Sequence, residues 1–200
     1  MAYSDFTLHQ LTQRFEVDFQ EEHLFPDVRP VAPSQWLTET LEVARELGYG
    51  NEKSRSERLI SPILTELARH NAHAFTIVSG GYLDADPAVG LNGECDFVLS
   101  YTRLQGFIKA PVFCVAEAKK QEMDRGLVQG AAQLVGAARF NEVERKPIPT
   151  LYGCATTGTD WQFMKLENNV CTFDKEQYHT LQLSGLLGVL QQIVDRTRPA

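Results

Sequence analysis

Apolar residues recur at two different spacings along this chain, and the changes of spacing mark out its elements. Alternation through Phe15, Val17 and Phe19 predicts a short strand near the N-terminus. The stretch from Pro26 to Pro33 holds three prolines and reads as a connection. Ser34 stands as N-cap for a helix running to about Leu47, closed by Gly48 and Gly50. A second helix is predicted over about Arg55 to Asn71, with Ser54 and Glu57 at capping-box spacing. Pro62 kinks that helix, or marks a restart with Ser61 as N-cap.

Strand-like apolar runs follow at Phe75–Ser79, at Gly93–Leu99 and at Val112–Lys119. A loop rich in Gly, Asp and Pro from Gly80 to Gly93 separates the first two, with Gly80-Gly81 read as a turn, and Gln105-Gly106 marks the next connection. Helical spacing returns over Met123 to Phe140, where Leu127, Ala131, Leu134 and Ala138 form a stripe with Val128 and Val135 beside it. Leu151–Thr157 reads as a buried strand. Phe163–Leu166 and Val170–Phe173 read as a hairpin turning at Glu167-Asn168-Asn169. A last helix, about Tyr178 to Thr197, carries Leu186, Leu187, Leu190, Ile193 and Val194. This alternation predicts an α/β fold with a mixed central sheet flanked by helices. Residues 1–50 are expected as an N-terminal extension packing on a core formed by 51–200.

Two of these strands carry charges that a buried strand does not hold without a reason. Asp96 lies in one; Glu117 and Lys119 close the other. An isolated buried charge is expensive unless it is paired or bound to metal. Residues two apart in a strand share a face, so Glu117 and Lys119 point the same way. If the two strands pair, Asp96 joins them. Two carboxylates and an amine at a sheet edge make a divalent-metal site with a cationic helper, which is equipment for cutting phosphodiesters.

Length and composition narrow the picture. Two hundred residues, 43% of them hydrophobic, suit one domain with a real core. No apolar run approaches the roughly 20 residues of a membrane span, and Met1–Asp5 lacks the basic-then-apolar layout of a signal peptide. A cytoplasmic location without membrane contact is therefore expected. The cysteines at 95, 114, 154 and 171 fall on predicted strands with no C-x-x-C pair, so buried reduced thiols are expected. The net charge of −7 does not suggest a strong non-specific nucleic-acid binder. The balance is uneven, however. Residues 1–100 hold 7 Lys/Arg against 16 Asp/Glu, whereas residues 101–150 hold 8 against 5. That excess is either a local phosphate-binding face or ordinary fluctuation. The five histidines show no metal-ligand spacing, and neither a G-x-S-x-G elbow nor a phosphate-cradling glycine loop is present.

The order helix, strand, strand with Asp96, strand ending Glu117-Ala118-Lys119, helix, strand resembles the PD-(D/E)XK nuclease superfamily over about residues 54–175. It is most similar to restriction-endonuclease-like domains such as the N-terminal nuclease region of type I restriction subunits. Glu94-Cys95-Asp96 stands where the motif's name has Pro-Asp. The resemblance implies a restriction-endonuclease-like α-β-β-β-α-β core and metal-dependent cleavage of nucleic acid, DNA rather than RNA. It implies Mg2+ or Mn2+ held by Asp96, Glu117 and the Ala118 carbonyl, with Lys119 holding the attacking water. It also brings in Glu57 as an additional glutamate and Gln129 and Gln133 on the following helix.

Several of these residues have plainer readings. Glu57 is equally explained by the capping box. Glu66, nine residues on, faces the other side of the helix unless Pro62 bends it, and Glu94 reads as a loop-end carboxylate. Gln129 and Gln133 lie alongside Gly126, Gly130 and Gly136, where small residues would admit a nucleic-acid backbone or another strand; a polar surface is the alternative. Arg103, Lys109 and Arg125 are candidate phosphate contacts, and Trp161 is either hairpin packing or a stacking platform. The competing function is a non-catalytic module that binds nucleic acid or a protein, with residues 1–50 as a surface for a homodimer or another partner.

Overall fold

The computed structural model describes residues 1–119 and 122–199; Lys120, expected to be solvated, lies outside them. Seven strands form one mixed sheet: β1 (Asp18–Glu22), β2 (Thr76–Tyr82), β3 (Glu94–Ser100), β4 (Val112–Ala118), β5 (Thr150–Thr156), β6 (Asp160–Glu167) and β7 (Val170–His179). Their order is β1-β7-β6-β5-β4-β3-β2. β1 runs parallel to β7 and β4 parallel to β5; the other pairs are antiparallel. The α/β reading holds, as a mixed sheet with helices on both faces.

One face is covered by α5 (Met123–Val143), with α1 (Leu8–Phe15) and Tyr3 packed beyond it. The other carries α2 (Gln35–Leu47), α4 (Ser61–His70) and α6 (Leu183–Thr197), and each face has its own apolar core. Gly126, Gly130 and Gly136 let α5 come down on its neighbours. A Cβ on them would lie 3.0 Å from Ala155 Cβ, 2.9 Å from the Met164 methyl and against the Tyr3 hydroxyl, respectively. The small residues therefore admit the sheet and the N-terminal segment, and leave no room there for a nucleic-acid backbone.

Four predicted elements are corrected, the last helix among them. The Phe15–Phe19 strand is instead the end of α1, a left-handed turn at Glu16 (φ 57°) and the start of β1. Thr7 and Gln10 cap α1 reciprocally, so the first segment is helical. The second helix begins at Glu52, because Asn51 and Ser54 form the capping box; α3 (Glu52–Arg55) passes through a π turn (Ser56–Ile60) into α4. The Ser61 N–H bonds back to the Ser56 carbonyl, so Ser61 is no N-cap. The wide turn gives the Pro62 ring room where it would otherwise meet the carbonyl of the preceding turn. Gly80 and Gly81 lie inside β2 rather than in a turn: Gly80 adopts φ +65° between the pairs Ser79–Phe97 and Gly81–Cys95.

The β6–β7 hairpin turns at Asn168 and Asn169, both at positive φ, as the sequence predicts. It is longer than predicted, so Tyr178 belongs to β7 and not to the last helix. All four cysteines are buried and free. Among the described residues no helix is long and apolar enough to cross a membrane.

Candidate active site

Antiparallel pairing places Phe97 opposite Ala116, so the start of β3 and the end of β4 meet. There Asp96 Oδ2 accepts a hydrogen bond from the Ala118 N–H at 2.7 Å. Glu117 is 2% exposed. Its Oε1 lies 2.7 Å from the Lys119 ammonium, and its Oε2 accepts from Gln133 Nε2 at 2.6 Å. Lys119 is anchored through its own N–H, which donates to the Thr156 carbonyl on β5 at 2.8 Å. Asp96, Glu117, Ala118, Lys119 and Gln133 thus form one cluster, in which Ala118 takes part through its N–H.

The electrostatics follow from that crowding. Burial, together with the Asp96 charge, pushes the Glu117 carboxyl up to about 7 against the pull of Lys119 and Gln133. Burial also raises Asp96, against the Ala118 N–H and the Lys119 charge, while Glu52 adds to the rise. Such a pair holds charge at a cost that a cation would relieve.

Glu57 is not bonded into this cluster. It shares with Asp96 a cavity of about 440 Å³, lined also by Glu52, Lys53, Ser56, Ser79, Gly80, Glu94 and Phe97. With the capping box moved to Asn51 and Ser54, Glu57 has no capping duty; its carboxylate lies 3.9 Å from Lys53. The mouth therefore presents Glu52, Glu57, Glu94 and Asp96 against one ammonium. Glu52 was not visible as a candidate, because the helix was expected to begin later. Its signal is phase: residues 52, 53, 56 and 57 share a helix face.

Other candidates fall elsewhere. Glu66 is buried and accepts from the Ser34 N–H at 2.7 Å and the Ser34 hydroxyl at 2.9 Å, tying α4 to the start of α2. Gln129 is half-buried one turn before Gln133 and, among the described residues, makes no hydrogen bond to the cluster. Arg103 and Lys109 are exposed on the loop that leaves the opposite ends of β3 and β4. Arg125 is exposed and paired with Glu122 at 3.5 Å. Trp161 is fully buried, donates to the Gly158 carbonyl at 3.3 Å and stacks on Phe163, so it packs the hairpin and offers no stacking platform.

Among the described residues no three His, Cys, Asp or Glu side chains gather into a complete metal-ligand set. The cluster supplies two carboxylates. No family model matches this chain, and no curated protein matches it.

Proposed function

We propose that the protein is a PD-(D/E)XK-type nuclease that hydrolyses phosphodiester bonds in nucleic acid, DNA before RNA, with Mg2+ or Mn2+. The observation that carries this reading is the meeting of Asp96, Glu117 and Lys119 at one end of β3 and β4. The element order supports it: a helix from Glu52 to His70, then β2, β3 and β4, then α5, then β5 parallel to β4. This order supports the restriction-endonuclease-like core that the resemblance implies.

The residues present suit a hard divalent cation. Mg2+ is commonly bound through one or two carboxylates, with water and substrate phosphate completing the shell. Asp96 and Glu117 would hold it, with the Ala118 carbonyl as a third oxygen. A bound cation supplies Lewis-acid charge that acidifies water and offsets charge on the phosphate. Lys119 orients the attacking water and balances charge developing on the phosphate oxygens. Gln133 fixes the Glu117 carboxylate. Glu57 and Glu94 keep the mouth negative, which draws the cation in and sets the approach of a polyanion.

The test is incubation of the purified protein with plasmid and single-stranded DNA, in Mn2+ or in chelator. The expected result is metal-dependent nicking that disappears in Lys119→Ala. Absence of cleavage on DNA and RNA with either metal, by protein shown to be folded, would overturn the nuclease reading. Binding that ignores both the metal and Lys119→Ala would point to the non-catalytic module instead.

A further inference from the structure

Each oxygen of Glu117 already holds one partner. Gln133 Nε2 holds Oε2 at 2.6 Å and the Lys119 ammonium holds Oε1 at 2.7 Å. A magnesium ion sits about 2.0–2.1 Å from a carboxylate oxygen, so it and the ammonium would crowd each other severely on Oε1. A dication and an ammonium on one carboxylate oxygen repel each other, so a cation binding there favours departure of the ammonium. Gln133 is fully buried in the middle of α5 and fixed by the helix. The Lys119 side chain is 18% exposed and reaches Glu117 on a flexible four-carbon stem, so it is the partner free to move. That stem lies over Gly126, where a Cβ would come within 3.0 Å of Lys119 Cγ, and so has only backbone beneath it.

We infer that the Asp96–Glu117 pair takes up its divalent cation by exchange with the Lys119 ammonium. The inference rests on the nuclease reading and deepens it. Two carboxylates and one ammonium carry a net negative charge. Exchange for a divalent ion neutralises the pair and releases the ammonium. Lys119 is thereby a placeholder before the ion arrives and a phosphate-facing cation afterwards. The acidic mouth formed by Glu52, Glu57 and Glu94 supplies the attraction that drives the exchange.

Calorimetric titration with Mg2+ or Mn2+, without nucleic acid, tests this on the full chain. Lys119→Met should bind the ion about tenfold or more tightly, because the competing charge is gone. Lys53→Met removes an equal charge from the same mouth without vacating Glu117, and should change affinity less than about threefold. Unchanged or weaker binding by Lys119→Met, or an equal gain in Lys53→Met, would overturn the exchange. A second measurement does not depend on that variant folding. In the wild-type protein the Lys119 ammonium should give a slowly exchanging 15N-resolved signal that is lost when Mg2+ is added. Persistence of that signal at saturating Mg2+ would also overturn the exchange. Wild-type protein that binds neither ion removes both this inference and the nuclease reading. Wild-type protein that binds the ion and cleaves DNA, with no gain in Lys119→Met, removes the exchange alone.

Discussion

Gln133 donates to Glu117 at 2.6 Å, and this bond ties the middle of α5 to the end of β4. The contact is buried, so its loss is not compensated by water. Gln133→Leu should destabilise the protein by about 1–3 kcal/mol in chemical unfolding, because it leaves a buried carboxylate oxygen without a donor. Nucleic-acid cleavage should fall as well, since Glu117 is then free to turn. Unchanged stability and unchanged cleavage would mean that the bond does no positioning.

The protonation of Glu117 gives a pH dependence with a definite sign. Its folded-state value of about 7 lies above the ordinary 4.5, so the folded state binds the proton more strongly than the unfolded chain. The stability this supplies is fully present below about 4.5 and is lost as pH rises through about 7. Asp96, also raised, acts in the same direction. In chelator, urea unfolding should show stability falling from pH 5 to pH 7.5. Glu117→Gln should flatten that slope, and saturating Mg2+ should reverse it. A slope identical in wild type and Glu117→Gln would contradict the assignment.

Glu66 serves a different end of the molecule. Its carboxylate accepts both the N–H and the hydroxyl of Ser34, which in turn caps α2. Glu66→Ala should lower stability by about 1–3 kcal/mol, since two donors lose their acceptor. Cleavage per folded molecule should stay at the wild-type level. Loss of turnover in folded Glu66→Ala protein would return Glu66 to the site.

The grouping of Asp96, Glu117 and Lys119 was legible in the sequence because period-two spacing is strict and charges in apolar runs are conspicuous. Gln133 was legible only through the resemblance, since its burial depends on how α5 sits on the sheet. Glu52 was hidden by a competing cap: Ser54 and Glu57 have the right spacing, yet Asn51 and Ser54 form the box, and one turn of helix moved into the cavity. The N-terminal alternation misled for a related reason. Phe15, Val17 and Phe19 straddle a helix end, and Glu16 takes a left-handed conformation that a glutamate does not advertise. The glycines of α5 showed where close approach occurs but not what approaches, because the occupant is set by the whole sheet.

β1 lies beside β7, with Asp18 opposite Val170, so the first strand of this sheet to be synthesised finds its neighbour only in the last strand of the sheet. Synthesis must therefore reach β7 before that edge closes. A product halted after β5 already carries every acidic group of the mouth, yet lacks the strand that β1 needs. Incomplete copies would expose an unpaired edge and be easy prey for proteases.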